Sequence, residues 1–158
     1  MQWKAFLDPV IRAFINENAQ ADVAALALKK LPDKNWPALL IFGQIKARQK
    51  AEKKIPQWLQ YADIILPAGD VIEQASSAAT ALYKASLAEG GVFADLCAGA
   101  GVDSWALSNG FERGLSIDSD SDTAALIAHN MSFLAPGKIE VSCARAEDFV
   151  QTMPQVDL

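Results

Sequence analysis

The stretch Val92-Phe93-Ala94-Asp95-Leu96-Cys97-Ala98-Gly99-Ala100-Gly101-Val102-Asp103-Ser104-Trp105-Ala106-Leu107-Ser108-Asn109-Gly110-Phe111-Glu112-Arg113-Gly114-Leu115-Ser116-Ile117-Asp118 decides the fold. Its apolar runs and breakers predict a short buried strand, a glycine loop, a helix over Val102 to Ser108, and a second buried strand over Gly114 to Ile117 that ends in an acid. Asp95 closes the first strand. Gly99 and Gly101 predict a tight turn in which the backbone can approach a ligand, because neither residue carries a Cβ.

Dinucleotide sites use much the same turn, and charge separates the two readings. A nicotinamide or flavin site holds a pyrophosphate in front of the helix, drawn by free N–H groups and the helix dipole. A carboxylate at Asp95 would face that anion, and two unit charges about 4 Å apart interact by roughly 4 kcal/mol at an effective dielectric near 20. The sign suits instead a phosphate-free ligand with an ammonium group, such as the methionine end of S-adenosylmethionine. Asp118 can accept both hydroxyls of a ribose, since an ionised carboxylate only accepts. Ser104 stands where the dinucleotide pattern has its third small residue, which argues the same way.

On Asp95-Leu-Cys-Ala-Gly99-Ala-Gly101 and Ser116-Ile-Asp118 the chain resembles the class I S-adenosylmethionine-dependent methyltransferases. Within them it is similar to the bacterial branch related to the trimethylguanosine synthases, often followed by a THUMP-like domain. The stretches Gln44 to Trp58 and Glu73 to Lys84 carry that second likeness. The resemblance implies an α/β fold: a partial Rossmann-like parallel sheet preceded by an N-terminal helical bundle. It implies S-adenosyl-L-methionine as cofactor, RNA as substrate with a guanine exocyclic nitrogen (N2) as acceptor, and no metal. Asp95, Cys97, Gly99, Gly101 and Asp118 would be the cofactor-binding residues. The family's adenine-reading loop falls at Ala144-Arg145-Ala146-Glu147-Asp148, with Arg145 in place of the usual acid; the Ala146 backbone and Glu147 are expected to read the base. Gln74, Ser77 or Thr80 would reach the methionine carboxylate.

The 158 residues suffice for a buried core, and 51% apolar with 21% charged is ordinary for a globular chain. No apolar run reaches the roughly 20 residues that span a bilayer, and the opening Met-Gln-Trp-Lys lacks a secretory signal, so the expected location is the cytoplasm. Cys97 and Cys143 have no partner at metal-ligand spacing and are expected as reduced, small buried residues at strand ends. His129 is expected at or near the surface of the helix after Asp118. A net charge of −5 excludes a surface that is basic all over. Lys29, Lys30, Lys34, Lys46, Arg48, Lys50, Lys53 and Lys54, set against Asp33 and Glu52, still predict a local patch able to meet phosphates, or a solvated helical face.

The helical period of Trp3, Phe6, Leu7, Val10, Ile11, Phe14 and Ile15 predicts a helix over 3–18 that Asp8-Pro9 breaks or begins. Shorter periodicity predicts a second helix over 21–31, stopped by Pro32, and a third capped by Asn35 that ends before Pro56. Trp58 is expected to close the bundle. Residues 62–70 read as a connection, giving a helical domain over 1–66 and a cofactor-binding Rossmann-like domain over 67–158. A helix from Val71 to Ala88 should bury Ile72, Ala75, Ala79, Leu82 and Tyr83. After Asp118, Ser121 should cap a helix through Met131, Ile139 to Cys143 should be the third strand, and Ala146 to Met153 a third helix. Val156-Asp157-Leu158 resembles the start of a fourth strand, which in the related enzymes leads to the segment that orients the nucleophile. The expectation is therefore a piece of a longer enzyme with no catalytic residue of its own. Two other functions fit: a nicotinamide-dependent oxidoreductase, or a nucleic-acid-binding module using the basic helices.

Overall fold

The structure is a computed structural model describing residues 2–158; Met1 of the opening segment lies outside them. Among the described residues no helix is long and apolar enough to cross a membrane. The chain forms two compact units, Met1–Glu73 and Gln74–Leu158.

The first unit is helical. A 3-10 turn over Gln2–Leu7 leads to α1, Pro9–Glu17. Asp8 caps α1 by accepting from the Val10 N–H at 2.8 Å, and Pro9 fills the first turn, where no N–H is needed. α2 spans only Val23–Ala27, capped by Asp22. It stops short of Pro32 and leaves Leu28 90% exposed. α3 covers Ala38–Lys54, and its N-cap position is Pro37, not Asn35. Asp33 accepts from the Asn35 N–H at 2.8 Å, which places Asn35 in the preceding turn, two residues before the helix's N-cap position. Pro56 stops α3 as expected, and Trp58, on the following 3-10 turn, is fully buried.

Residues 62–70, read as the connection, are in part deeply buried. Ile64, Ile65 and Leu66 are each 1% exposed and lie outside any helix or strand. Buried backbone that lacks secondary structure must find other hydrogen-bond partners. Side chains of α3 supply them. Gln44 donates to Leu66 O at 2.6 Å and accepts from the Leu66 N–H at 3.2 Å, and Arg48 donates to Ile64 O at 3.0 Å. Lys54 reaches Ile72 O at 3.0 Å and also Glu73 O. Arg48 is 7% exposed, and burial pulls its guanidinium below its ordinary pKa. Lys50 pairs with Glu73. Three of the eight cations read as one basic patch are thus committed inside this unit.

α4 occupies Gly69–Gln74 and α5 Ala78–Ala85, so the single helix expected from Val71 to Ala88 is two. Ser77 makes the break by capping α5, accepting from the Thr80 N–H at 3.1 Å. The buried face of α5 is Ala78, Ala81 and Ala85, while Leu82 and Tyr83 are exposed. α5 packs on α6, Val102–Leu107, and an alanine seam lets the two approach where larger side chains would hold them apart.

The sheet is parallel, in the order β1-β2-β3: Gly90–Asp95, Phe111–Asp118 and Ile139–Cys143. The register sets Asp95 opposite Ser116 and Asp118 opposite Cys143. Crossovers run through α6 and through α7, Ser121–Leu134. Asp120, not Ser121, caps α7 by accepting from the Thr123 N–H at 2.8 Å. That bond holds the Asp120 carboxyl below its usual range. Phe93 and Phe111 meet edge to face at 5.4 Å in the core. α8 is short, Ala146–Phe149, and does not reach Met153. No strand is assigned to Val156-Asp157-Leu158, but Asp157 N donates to Val92 O and Ala94 N to Leu158 O, both at 2.8 Å. The last residues therefore run beside β1 on the side away from β2, so the strand order turns back at β1. Ligands of open α/β sheets lie at such a point, beyond the carboxyl ends of the strands.

Candidate functional site

The loop after β1 folds back over the tip of β2. Ala98 N donates to Ile117 O at 2.9 Å, and Gly101 N closes the turn on Ala98 O at 2.7 Å. Gly99 and Gly101 have φ of +54° and +81°, conformations that side chains with a Cβ resist. Their reasons differ. A Cβ on Gly99 would meet only Cys97 O, at 4.0 Å, an ordinary contact, so there the constraint is the backbone conformation and not crowding. A Cβ on Gly101 would lie 2.8 Å from Met131 Cε and 3.4 Å from Ile127 Cγ2, so Gly101 also makes room for α7.

Asp118 stands at the tip of β2. Its Oδ2 accepts from the Gly99 N–H at 3.0 Å and its Oδ1 from the Asp120 N–H at 2.9 Å. Two backbone donors fix the carboxylate in place, and each oxygen keeps a further lone pair for a ligand. Asp95 ends β1 part-buried and turns toward α6, where its Oδ2 accepts from Ser104 Oγ at 2.6 Å. Ser104 in turn accepts from Ser116 Oγ at 2.7 Å, and both serines are 0% exposed. Burial pushes the Asp95 carboxyl up; the Ser104 hydroxyl and the Cys97 backbone N–H oppose this, Asp103 adds to it, and Lys84 opposes it.

A cleft of about 480 Å³ opens at the strand ends. Leu96 and Cys97 line it from the glycine loop, Asp118 and Ser119 from the end of β2, and Ala144, Arg145, Ala146 and Glu147 from the loop after β3. Ala144 N donates to Asp118 O at 3.0 Å, which ties that last loop to β2. Of the residues expected to bind a cofactor, Cys97, Asp118, Ala146 and Glu147 come together on this wall. Asp95, Gly99 and Gly101 do not line it. Glu147 sits 3.5 Å from Arg145 Nε, with both side chains exposed.

Cys97 and Cys143 are exposed, contrary to the expectation of burial, because they stand at or just past the carboxyl ends of β1 and β3. His129 is half-buried, edge-on to Phe133 one helical turn away at 5.3 Å. Ser77 and Thr80 bond each other at the α5 cap, and Ser76 instead joins Asp103 and Lys84. Ser104 and Ser116 escaped the sequence reading as site residues. The spacing held a signal for one of them: Ser116 and Asp118 are two apart on β2 and share a face.

No family model matches the chain, and no curated protein sequence matches it. Its structure is similar to the crystal structure of a "putative methyltransferase from Porphyromonas gingivalis W83", with a TM-score of 0.77 over 90% of this chain at 23% identity. The chain spans 36% of that protein's length. The fold is shared. It is the α/β, methyltransferase-like architecture expected from the stretch around Asp95 and Asp118.

Proposed function

We propose that the Gln74–Leu158 unit is the S-adenosylmethionine-binding portion of a methyltransferase acting on RNA, with a guanine exocyclic nitrogen as acceptor. The observation that carries the cofactor reading is the Asp118 carboxylate, clamped by two backbone N–H groups on the wall of a cleft at the strand ends. The donor set fits the group. Asp118 would accept the ribose hydroxyls, the Ala146 backbone and Glu147 would read the adenine, and Asp95 would provide negative charge toward the amino-acid end. The cleft wall holds two carboxylates, Asp118 and Glu147, against one guanidinium, Arg145. That balance suits a cationic ligand better than a diphosphate. When bound, the cofactor supplies an electrophilic methyl group on sulfur. The protein's part is to hold that methyl at near-attack distance from the nucleophile, a contribution that can reach roughly 7 to 11 kcal/mol. The RNA reading is supported by the branch resemblance and by Lys29, Lys30, Lys34, Lys46 and Lys53, which remain exposed.

Calorimetry tests the cofactor. Wild-type protein should bind S-adenosylhomocysteine and not NAD. Asp118→Ala should weaken that binding about 100-fold, as expected for losing charge-assisted hydrogen bonds worth roughly 3 kcal/mol. Binding of NAD without S-adenosylhomocysteine would favour the oxidoreductase instead. For RNA, charge reversal at Lys46 and Lys53 should weaken retention of a structured RNA and flatten its salt dependence.

A further inference from the structure

The buried hydroxyls of Ser104 and Ser116 have no place in the cofactor contacts named above. Ser116 donates to Ser104 at 2.7 Å, and Ser104 donates to Asp95 Oδ2 at 2.6 Å. Both serines are 0% exposed, so neither touches solvent. A serine at either position could have been alanine with better packing, since a buried hydroxyl is favourable only when its hydrogen bonds are made. Here each bond points the same way, and a chain of aligned hydroxyls delivers its strongest donation to the terminal acceptor. That acceptor is the one carboxylate at the end of β1.

We propose that Ser104 and Ser116 are positioning residues that hold the Asp95 carboxylate ionised and aimed for the cationic end of the ligand. The inference rests on the methyl-donor reading for the ligand's identity, but not for the behaviour of Asp95 itself. Burial favours the neutral acid at this position, and the hydrogen bonds donated by Ser104 and by the Cys97 backbone N–H favour the anion. Two charged groups bear on the balance: Asp103 on α6, which opposes ionisation, and Lys84 on α5, which supports it. Lys84 is largely engaged by Asp103 at 2.6 Å. The other titratable groups at this end of the sheet include Cys97, Asp118, Asp120, Cys143, Arg145 and Glu147, the last two paired with each other. Asp157, beside β1, is occupied by the Gly91 and Val92 N–H groups at 2.8 and 2.9 Å. With Lys84 so engaged, the hydroxyl chain is the adjustable support of the Asp95 charge.

The test follows Asp95 directly. Carboxyl-carbon NMR of the ligand-free chain should give an Asp95 midpoint that rises by about one pH unit in Ser104→Ala, the equivalent of one neutral hydrogen bond. Ser116→Ala should give a smaller rise in the same direction, and it serves where Ser104→Ala fails to fold. Affinity for S-adenosylhomocysteine should then fall in Ser104→Ala near the new midpoint and recover at higher pH. An unchanged Asp95 midpoint in both variants overturns the proposal. So does a loss of affinity that is equal at every pH, which would mark the serines as packing. If the midpoint shifts but wild-type protein binds no S-adenosylhomocysteine, the serine relay stands and the cofactor reading falls.

Discussion

The two units use buried polar groups for opposite ends. In the helical unit, Gln44, Arg48 and Lys54 point into their own fold and satisfy backbone carbonyls of a segment that has no ladder of its own. In the sheet unit parallel pairing satisfies the strands, so Ser104 and Ser116 bond toward Asp95, and Asp118 takes two loop N–H groups at the tip of β2. A polar side chain stays available for chemistry where its backbone bonds leave lone pairs to spare, as the two N–H groups on Asp118 do. The cations of α3 therefore look alike in sequence and differ in use.

Several substitutions would break or sharpen this contrast. The largest effect is expected at Gly114, where a Cβ would lie 2.2 Å from the ring of fully buried Phe93. Gly114→Ala should cost about 3 kcal/mol in denaturant unfolding, the upper range for overpacking. Next comes Arg48→Met, which fills similar space but strands Ile64 O. A loss of about 2 kcal/mol would identify Arg48 as structural, whereas an unchanged midpoint would return it to the surface patch.

Asp95→Asn should have a smaller effect that depends on pH. Because burial raises the Asp95 pKa in the folded chain, ionisation there opposes folding. The wild-type chain should lose that part of its stability as pH rises from about 4, the ordinary carboxylate value, through the raised midpoint. Asn should thus melt higher than wild type at neutral pH and not below pH ~4, while binding S-adenosylhomocysteine more weakly. Lys46→Met, on the exposed face of the helix that carries Arg48, should change stability by less than about 0.5 kcal/mol. A larger loss there would erase the distinction between the two kinds of cation.

The sheet unit was the more legible half. Strand runs of alternating or continuous apolar residues, ended by Asp95 and Asp118 and spaced by one helix each, leave few arrangements, because right-handed parallel crossovers are nearly obligatory. The limits of β3 and the positions of Gly99 and Asp118 were readable for that reason. The helical unit was read less well. α3 has its N-cap position at Pro37 and not at Asn35, the burial of the stretch around Ile64 went unread, and the helix after Val71 broke at Ser77. Each depends on a partner 2 to 22 residues away that local propensity does not name.

What the residues alone determined is the order of strand, loop, helix and strand, and the placing of two acids at the tips of β1 and β2. Periodicity and glycine chemistry act over a few residues, so the chain states them outright. Tertiary structure decided that Asp118 and not Asp95 lines the cleft, that Gly101 packs against α7, and that Arg48 belongs to the core. Those outcomes turn on burial and on hydrogen-bond partners far away in sequence, and both come into being only when the elements pack.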